Sequence, residues 1–262
     1  MFQSPFVNAF SIGGYEVKMY GVVMFCAILL GVLVSDFIAK RYYKTVDSDI
    51  LFDFYPRMIF SGIVFARLYY VVLNFDYYIN HLVEIPAIWH GGISIHGAIL
   101  GGVLAGVFYF KKNHLPILKY ADVITFGLVA AQALGRWGNF FNSEAFGIPC
   151  NLPWKLYIAP QYRPLEYHSY SYFHPTFLYE SIWCILVFIV LFLFFLNFKN
   201  YRSGMVFFSY FILYSIGRFL IEGIRTDSVL NIGVVPIAQI VSVLLFIIGM
   251  VGLIYCYKKM PA

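Results

Sequence analysis

Residues 176–197 read TFLYESIWCILVFIVLFLFFLN, and Glu180 is the only charged side chain in this run. A helix that crosses the hydrocarbon core of a bilayer needs about 20 predominantly apolar residues. Comparable apolar runs recur along the chain, and the same rule predicts seven spans, at 19–39, 54–75, 92–110, 120–142, 176–197, 204–222 and 235–257. The sequence therefore predicts an all-α polytopic membrane protein with about seven transmembrane helices.

The composition supports this class and excludes an ordinary soluble domain. Hydrophobic residues make up 61% of the chain and charged residues only 12%, whereas about a quarter of the residues of soluble domains are charged. The N-terminus lacks a basic segment followed by a small-residue cleavage site, so we expect the first span to be retained. Neither a repeat nor a linker is evident, and we expect residues 1–262 to form a single integral membrane domain.

The basic residues of the connections predict the orientation, because Lys and Arg are enriched in short cytoplasmic loops. One set of connections contains Lys40, Arg41, Lys44, Lys111, Lys112, Lys119, Lys199, Arg202, Lys258 and Lys259. We therefore expect the N-terminus outside and the C-terminus in the cytoplasm. The net charge of +5 follows from this topology and gives no indication of nucleic-acid binding.

The same orientation places the longest connection, residues 143–175, outside, and we call this segment the cap loop. It is too long for a simple connection and contains five prolines, which favours an ordered external cap. Its many tyrosines leave open a second interpretation, an aromatic belt at the level of the lipid headgroups. The four cysteines have no CxxC or metal-ligand spacing, so we expect neither a disulfide framework nor a metal site.

A polar cluster interrupts the fourth span, where residues 135–147 read GRWGNFFNSEAFG. An arginine near the middle of a membrane costs about 2.5–3.5 kcal/mol on insertion scales, so Arg136 requires a partner or a function. Gln132, Arg136 and Asn139 share one helical face, and Glu144 follows at the end of the span. The cluster is a candidate site, and a helix-packing network of hydrogen bonds is the alternative.

The sixth span carries a second polar stripe. Tyr214, Arg218, Glu222 and Arg225 are spaced by four, four and three residues, so they lie on one face. Glu222 neutralises one of the two arginines, which leaves a surplus positive charge. Because the planar guanidinium suits phosphate, the stripe predicts an anionic ligand such as a phospholipid headgroup. A purely structural Arg-Glu ladder is the alternative.

Three further polar residues belong to the predicted outer half of the membrane. Glu180 requires a partner within the fifth span, and a surplus arginine or Arg67 is the candidate. His96 lies at the start of the third span, where a neutral imidazole can accept a proton, although a lone histidine is more often a hydrogen-bonded core residue. Tyr20 opens the first span on the same side.

Five blocks of this sequence resemble, in order, one family of bacterial membrane enzymes. The blocks are GIVFARLYY, GGISIHG, GRWGNFFNSEAFG, HPTFLYE and YSIGRFLIEGIRTD. They resemble the prolipoprotein diacylglyceryl transferases. The resemblance implies a multi-pass enzyme of the bacterial cytoplasmic membrane, with its active site toward the outer face and without a metal or a dissociable cofactor.

The resemblance also implies the reaction, which is the first step of lipoprotein maturation. The enzyme transfers the diacylglyceryl group of phosphatidylglycerol to the lipobox cysteine of a prolipoprotein signal peptide. A thioether forms and glycerol phosphate is released. The partners implied are therefore phosphatidylglycerol, the signal peptide and the lipid bilayer.

Residue by residue, the resemblance implies catalytic and substrate-binding roles for eleven positions. The catalytic set is Arg136, Arg218, His96 and Tyr20, with His96 as the base. The substrate-binding set is Arg136, Asn139, Glu144, Gly147, Glu180, Tyr214, Glu222 and Arg225. This chain departs from the family pattern at Lys18-Met19, where an aromatic residue often stands, and at Thr226, where a proline is usual.

Seven spans also occur in two other classes of protein. A lipid or anion transporter also buries arginines, but we expect such a protein to show paired repeats and helices interrupted at the midplane. A retinal protein is disfavoured because the last span, 235–257, contains no lysine for a Schiff base. The transporter remains the alternative function.

Overall fold

The computed structural model describes residues 2–3, 7–12, 15–226, 231–232 and 235–258 of the chain. Its α-helices are α1 (Met19–Arg41), α2 (Ser48–Leu73), α3 (Phe75–Tyr78), α4 (Ile95–Lys112), α5 (Ile117–Phe141), α6 (Thr176–Asn197), α7 (Met205–Glu222) and α8 (Ile237–Lys258). Short 3-10 turns occur at Leu82–Glu84, Ile88–His90, Pro160–Tyr162 and Leu165–Tyr167. The strands are β1 (Phe2–Gln3), β2 (Asn8–Ile12), β3 (Tyr15–Lys18), β4 (Leu156–Tyr157), β5 (Tyr172–Phe173), β6 (Asn231–Ile232) and β7 (Val235–Pro236).

The prediction of an all-α polytopic membrane protein is confirmed. In the described part of the chain six helices are long and apolar enough to span a bilayer, namely α1, α2, α5, α6, α7 and α8. The remaining predicted span corresponds to α4, which forms a helix of 18 residues but is not among the six. The polar residues His96, Lys111 and Lys112 fall within its 18 residues. The number of seven spans and the orientation therefore stay predictions.

The observed helix bounds follow from the apolar runs, with one clear difference. The fifth predicted span and α6 have the same bounds. By contrast, α2 begins at Ser48, ahead of the predicted start at residue 54, because Asp47 caps it. The Asp47 carboxylate accepts a hydrogen bond of 2.9 Å from the backbone N–H of Asp49, which satisfies one of the free donors of the first turn.

The chain divides into two compact units, and each is described by itself. One unit is Ala39–Tyr120, and the other combines Met1–Ile38 with Ala121–Ala262. The expectation of a single domain stays a prediction.

In the unit Ala39–Tyr120, α2 packs closely against α4. Gly97 and Gly101 face the backbone of α2, and a Cβ atom at either glycine would overlap backbone or side-chain atoms of Phe65. The Ser61 hydroxyl donates to the Gly101 carbonyl at 2.9 Å. The two small residues thus allow the close helix contact that is common in membrane proteins.

A second network in this unit surrounds Arg67, which is 6% exposed. Its guanidinium donates to the backbone carbonyls of Glu84, Ile85, Gly91 and Gly92 at 2.6–2.8 Å. The rings of Tyr78 and Tyr70 lie 5.2 and 6.0 Å from its central carbon. Arg67 therefore holds the connection between α3 and α4 on α2.

The other unit is built around α5, α6, α7 and α8, together with the first part of α1. Small residues again permit close approach, since a Cβ atom on Gly217 would overlap the indole of Trp183 and one on Gly252 would overlap the ring of Phe208. The Trp183 indole N–H donates to the Leu213 carbonyl at 3.0 Å, which joins α6 to α7.

The cap loop is ordered by a small sheet and an aromatic core. Strand β4 pairs in parallel with β1 and antiparallel with β5. The buried core beneath it contains Phe140, Phe146, Leu156, Ile158, Phe173 and Phe177. The segment therefore has the ordered structure expected of a cap, whereas its position outside the membrane stays a prediction.

Candidate active site

Helices α5, α6 and the end of α7 bring three arginines onto one carboxylate. Arg136 Nη2 lies 2.7 Å from Glu180 Oε2. The other carboxylate oxygen, Oε1, accepts from Arg218 Nη1 at 2.9 Å and from Arg225 Nη1 at 3.2 Å. We call Arg136, Glu180, Arg218, Glu222 and Arg225 the arginine cluster.

Glu222 completes the cluster from the same helix face as Arg218. Arg218 Nη2 lies 2.7 Å from Glu222 Oε2, and Arg225 Nε lies 3.8 Å from the same oxygen. Arg218 thus bridges both glutamates. Because three arginines face two glutamates, the cluster carries one surplus positive charge.

Burial differs between the acidic and the basic members of the cluster. The side chains of Glu180 and Glu222 are 5% and 3% exposed, whereas those of Arg136, Arg218 and Arg225 are 23%, 18% and 11% exposed. The glutamate side chains are therefore enclosed, and each arginine side chain keeps part of its surface accessible. In a poorly solvated site a surplus positive charge is a strong attraction for an anion.

The backbone around Gly147 fixes the ends of the elements that carry the cluster. The Gly147 N–H donates to the His174 carbonyl at 2.9 Å, and the Ile148 N–H donates to the Ile224 carbonyl at 2.8 Å. A Cβ atom on Gly147 would lie 2.8 Å from the Ile224 carbonyl oxygen. Gly147 is therefore a close-contact position between the cap loop, the start of α6 and the segment that carries Arg225.

Asn139 and Glu144 form a closed turn where α5 ends. The Asn139 amide Nδ2 donates to Glu144 Oε1 at 2.9 Å, and the Glu144 N–H donates to the Asn139 carbonyl at 3.0 Å. Ser143 and Ala145 have φ values of 53° and 55°, so this turn passes through the left-handed region. Because the Asn139 Nδ2 atom donates to Glu144, the Oδ1 atom is the part of this amide that can accept a hydrogen bond.

Two of the predicted tyrosines are placed by neighbouring helices. The half-buried Tyr20 of α1 packs its ring on Gly138, where a Cβ atom would lie 2.9 Å from the ring. The ring of Tyr214 lies 5.5 Å from that of Tyr210. Tyr210 in turn exchanges hydrogen bonds with the Gln132 amide at 2.9 and 3.1 Å.

His96 and Arg67 belong to the compact unit Ala39–Tyr120 and are described within that unit. His96 is exposed in the first turn of α4, and its ring lies 6.1 Å from that of Tyr69. Arg67, one of the two expected partners of Glu180, gives its donors to backbone carbonyls instead. The described ion pairs of Glu180 are all with members of the arginine cluster. The proposed role of His96 as a base stays a prediction.

A group that sequence reasoning missed lies at the start of α6. The Trp154 indole N–H donates to the Tyr179 hydroxyl at 3.0 Å, and His174 Nδ1 lies 3.1 Å from the same oxygen. Burial lowers the pKa of His174, which favours its neutral form. His174 and Tyr179 both belong to the HPTFLYE block, and their presence in one block is the sequence feature that could have indicated this group. Among the described residues no three His, Cys, Asp or Glu side chains gather as metal ligands.

The six apolar helices and the arginine cluster define a class, a helical multi-pass membrane protein with a buried cationic site. A profile of the prolipoprotein diacylglyceryl transferase family matches residues 7–255. This chain belongs to that family.

Individual relatives agree with the family match. The chain is 45% identical over 257 residues to a protein of Acaryochloris marina, covering 98% of this chain and 93% of the relative. It is 45% identical to a protein of Trichormus variabilis, covering 100% and 93%. A protein of Thermotoga maritima is 46% identical, covering 93% and 82%. Each of these relatives is named phosphatidylglycerol–prolipoprotein diacylglyceryl transferase.

Proposed function

We propose that this chain transfers the diacylglyceryl group of phosphatidylglycerol to the lipobox cysteine thiol of prolipoproteins, forming a thioether and releasing glycerol phosphate. The observation that carries the proposal is the arginine cluster, in which three guanidinium groups face the Glu180 and Glu222 carboxylates and leave one surplus positive charge. A phosphodiester headgroup carries the one negative charge that balances it. The names of the relatives support the same substrates.

The arginines act on the leaving group. The reaction breaks the bond between the glyceryl carbon and a phosphate oxygen, so the departing phosphate gains negative charge in the transition state. Positively charged donors that already point at this position stabilise that charge without reorganising. Arg136 and Arg218 have the most exposed arginine side chains in the cluster and take this role. Glu180 and Glu222 hold the arginines in place.

The thiol must lose its proton before it attacks, because the thiolate is the nucleophile. His96 is the proposed base, and the liberated proton resides on its imidazole. Asn139 and Tyr20 orient the headgroup. Glu144 supports this by accepting from the Asn139 amide, which leaves the Asn139 Oδ1 atom free to accept from a headgroup hydroxyl. Gly147 and Tyr214 shape the site through the packing described above.

The proposed location is the bacterial cytoplasmic membrane, with the arginine cluster toward the outer face. The basic connections support this orientation by the positive-inside rule. The cluster lies at the end of α5 that leads into the cap loop, at the start of α6 and at the end of α7. If the cap loop were cytoplasmic, the arginine cluster would lie toward the inner face of the membrane, which contradicts this proposal.

Mass spectrometry of a lipobox peptide incubated with the purified chain and phosphatidylglycerol tests the reaction. We expect a diacylglyceryl adduct on the cysteine sulfur, which Arg136→Ala and Arg218→Ala abolish while the protein remains inserted. Arg57→Ala is the matched control, because Arg57 pairs with Asp53 on an exposed part of α2. Retained adduct in either cluster variant would remove its assigned role. No adduct from folded wild-type protein would favour the transporter, which a liposome flux assay then tests.

A further inference from the structure

An apolar groove lies between α1, α5 and α6, within the unit that carries the arginine cluster. Its volume is about 420 Å³. The residues that line it include Leu30 from α1, Ala130, Ala133 and Trp137 from α5, and Cys184 and Phe188 from α6.

The groove and the arginine cluster share α5 and α6, since the groove residues Trp137 and Ser181 directly follow the cluster residues Arg136 and Glu180. The 2.7 Å contact between Arg136 and Glu180 joins α5 to α6 at this level. Cys184 is four residues after Glu180, so it lies one turn further along the same face of α6. The part of α6 that lines the groove runs from Ser181 to Phe188, which is roughly 10 Å at the helical rise of 1.5 Å per residue.

The wall of the groove contains few polar groups. Ser181 is its one hydroxyl, and this group donates to the Ala133 carbonyl at 2.7 Å. Cys184 is buried in the floor, whereas Leu30 and Ile185 on the rim are 37% and 49% exposed. The groove is therefore lined mainly by apolar side chains from three helices that are long and apolar enough to span a membrane.

We propose that this groove holds one acyl chain of the phospholipid whose phosphate binds the arginine cluster. The inference rests on the proposed function and adds a lipid-chain site to it. The continuity between the cluster and the groove matches a lipid, in which a charged headgroup is followed directly by hydrocarbon. A signal-peptide helix does not fit, since about 10 Å of a helix of 10 Å diameter occupies roughly 800 Å³.

The function of the groove is to position the reacting carbon. Lipid tails are as apolar as the groove, so transferring a chain from the bilayer gives little hydrophobic gain. A chain fixed next to the cluster instead limits where the glyceryl carbon can lie relative to the arginines and the thiol. Ala130 and Ala133 set the depth of the groove, and a larger side chain there shortens the chain it accepts.

The test compares two lipids in the transfer reaction, with kcat/KM measured for dipalmitoyl and dioctanoyl phosphatidylglycerol in the same detergent. We expect Ala130→Phe to lower the ratio of long-chain to short-chain kcat/KM about tenfold, because the added ring overfills the distal groove. Val190→Phe is the matched control, since Val190 is exposed on α6 outside the groove. This control keeps the wild-type ratio.

An unchanged ratio in Ala130→Phe, or an equal loss with both lipids, overturns the acyl-chain site. Failure of wild-type protein to transfer from either lipid instead counts against the proposed function. A second measurement uses wild-type protein only, so it does not depend on the folding of a variant. Phosphatidylglycerol with a photoreactive group in the acyl chain should crosslink to peptides containing Ala130, Cys184 or Phe188. Crosslinks spread evenly over the exposed face of α8 would overturn the site.

Discussion

Glu180 is the residue on which the geometry of the site depends most. Its carboxylate contacts all three cluster arginines, and it is almost completely enclosed. A carboxylate at this position offsets charge that would otherwise be buried without compensation. Removing one partner of a buried ion pair is strongly destabilising for that reason.

We predict that Glu180→Gln, which keeps the shape but removes the charge, lowers the free energy of unfolding by about 3–5 kcal/mol and abolishes the transfer. Thermal unfolding in detergent and the adduct assay measure the two effects. Glu166→Gln is the control, because Glu166 is exposed in the cap loop; its effect should stay within about 0.5 kcal/mol. A Glu180→Gln protein as stable and active as wild type would contradict the central role of this carboxylate.

The sequence predicts which buried residues need a partner, but not which partner each of them has. The cost of placing Arg136 and Glu180 in lipid already indicated that each requires a partner. Which groups form the pairs depends on packing between helices, and sequence spacing does not contain that information. Arg67 shows the limit clearly, since its partners are backbone carbonyls 17 to 25 residues away.

At the scale of elements, α7 depends on a side chain from α5 for its start. The buried Asp122 accepts from the Gly204 N–H at 2.6 Å and from the Phe207 N–H at 2.8 Å, and it also accepts from the Tyr201 hydroxyl. The first N–H groups of a helix lack partners within the helix, and a negative charge there is favourable. Gly204 itself has no side chain that could cap α7.

We predict that Asp122→Ala lowers the free energy of unfolding by about 2–3 kcal/mol, because it removes the cap and leaves buried N–H groups without an acceptor. Asp122→Asn should fall between Ala and wild type, since its amide oxygen still accepts one hydrogen bond. Thermal unfolding in detergent measures the series, with Asp76→Ala as control, because Asp76 is exposed on α3. Equal stability of Asp122→Ala and wild type would show that α7 does not need this cap.

The elements themselves were largely predictable, because hydrocarbon thickness sets the length of each apolar run. The α6 bounds were correct for this reason, and α2 differed because a cap at Asp47 extends it beyond its apolar core. The pairing of β4 with β1 was not predictable. The two strands are separated by more than half the length of the chain, and a two-residue strand has no recognisable sequence pattern.

At the scale of the whole molecule, the orientation in the membrane decides whether the proposed chemistry is on the correct face. The asymmetry of basic residues is an argument about insertion, and it is independent of how the helices pack. An outward cap loop and a cytoplasmic connection after α4 follow together from that asymmetry. One experiment on intact cells can therefore test both.

We predict that a cysteine placed by Ser169→Cys in the cap loop reacts with a membrane-impermeant maleimide in intact cells. Ser169 is exposed, and the substitution is made in a chain that also carries Cys26→Ser and Cys150→Ser. Cys184 and Cys256 remain, because both are buried. Lys112→Cys in the same background is the matched control at the end of α4, and it should react only after the cells are permeabilised. The reverse pattern would place the cap loop in the cytoplasm, and with it the arginine cluster would lie at the inner face, where the proposed orientation does not allow it.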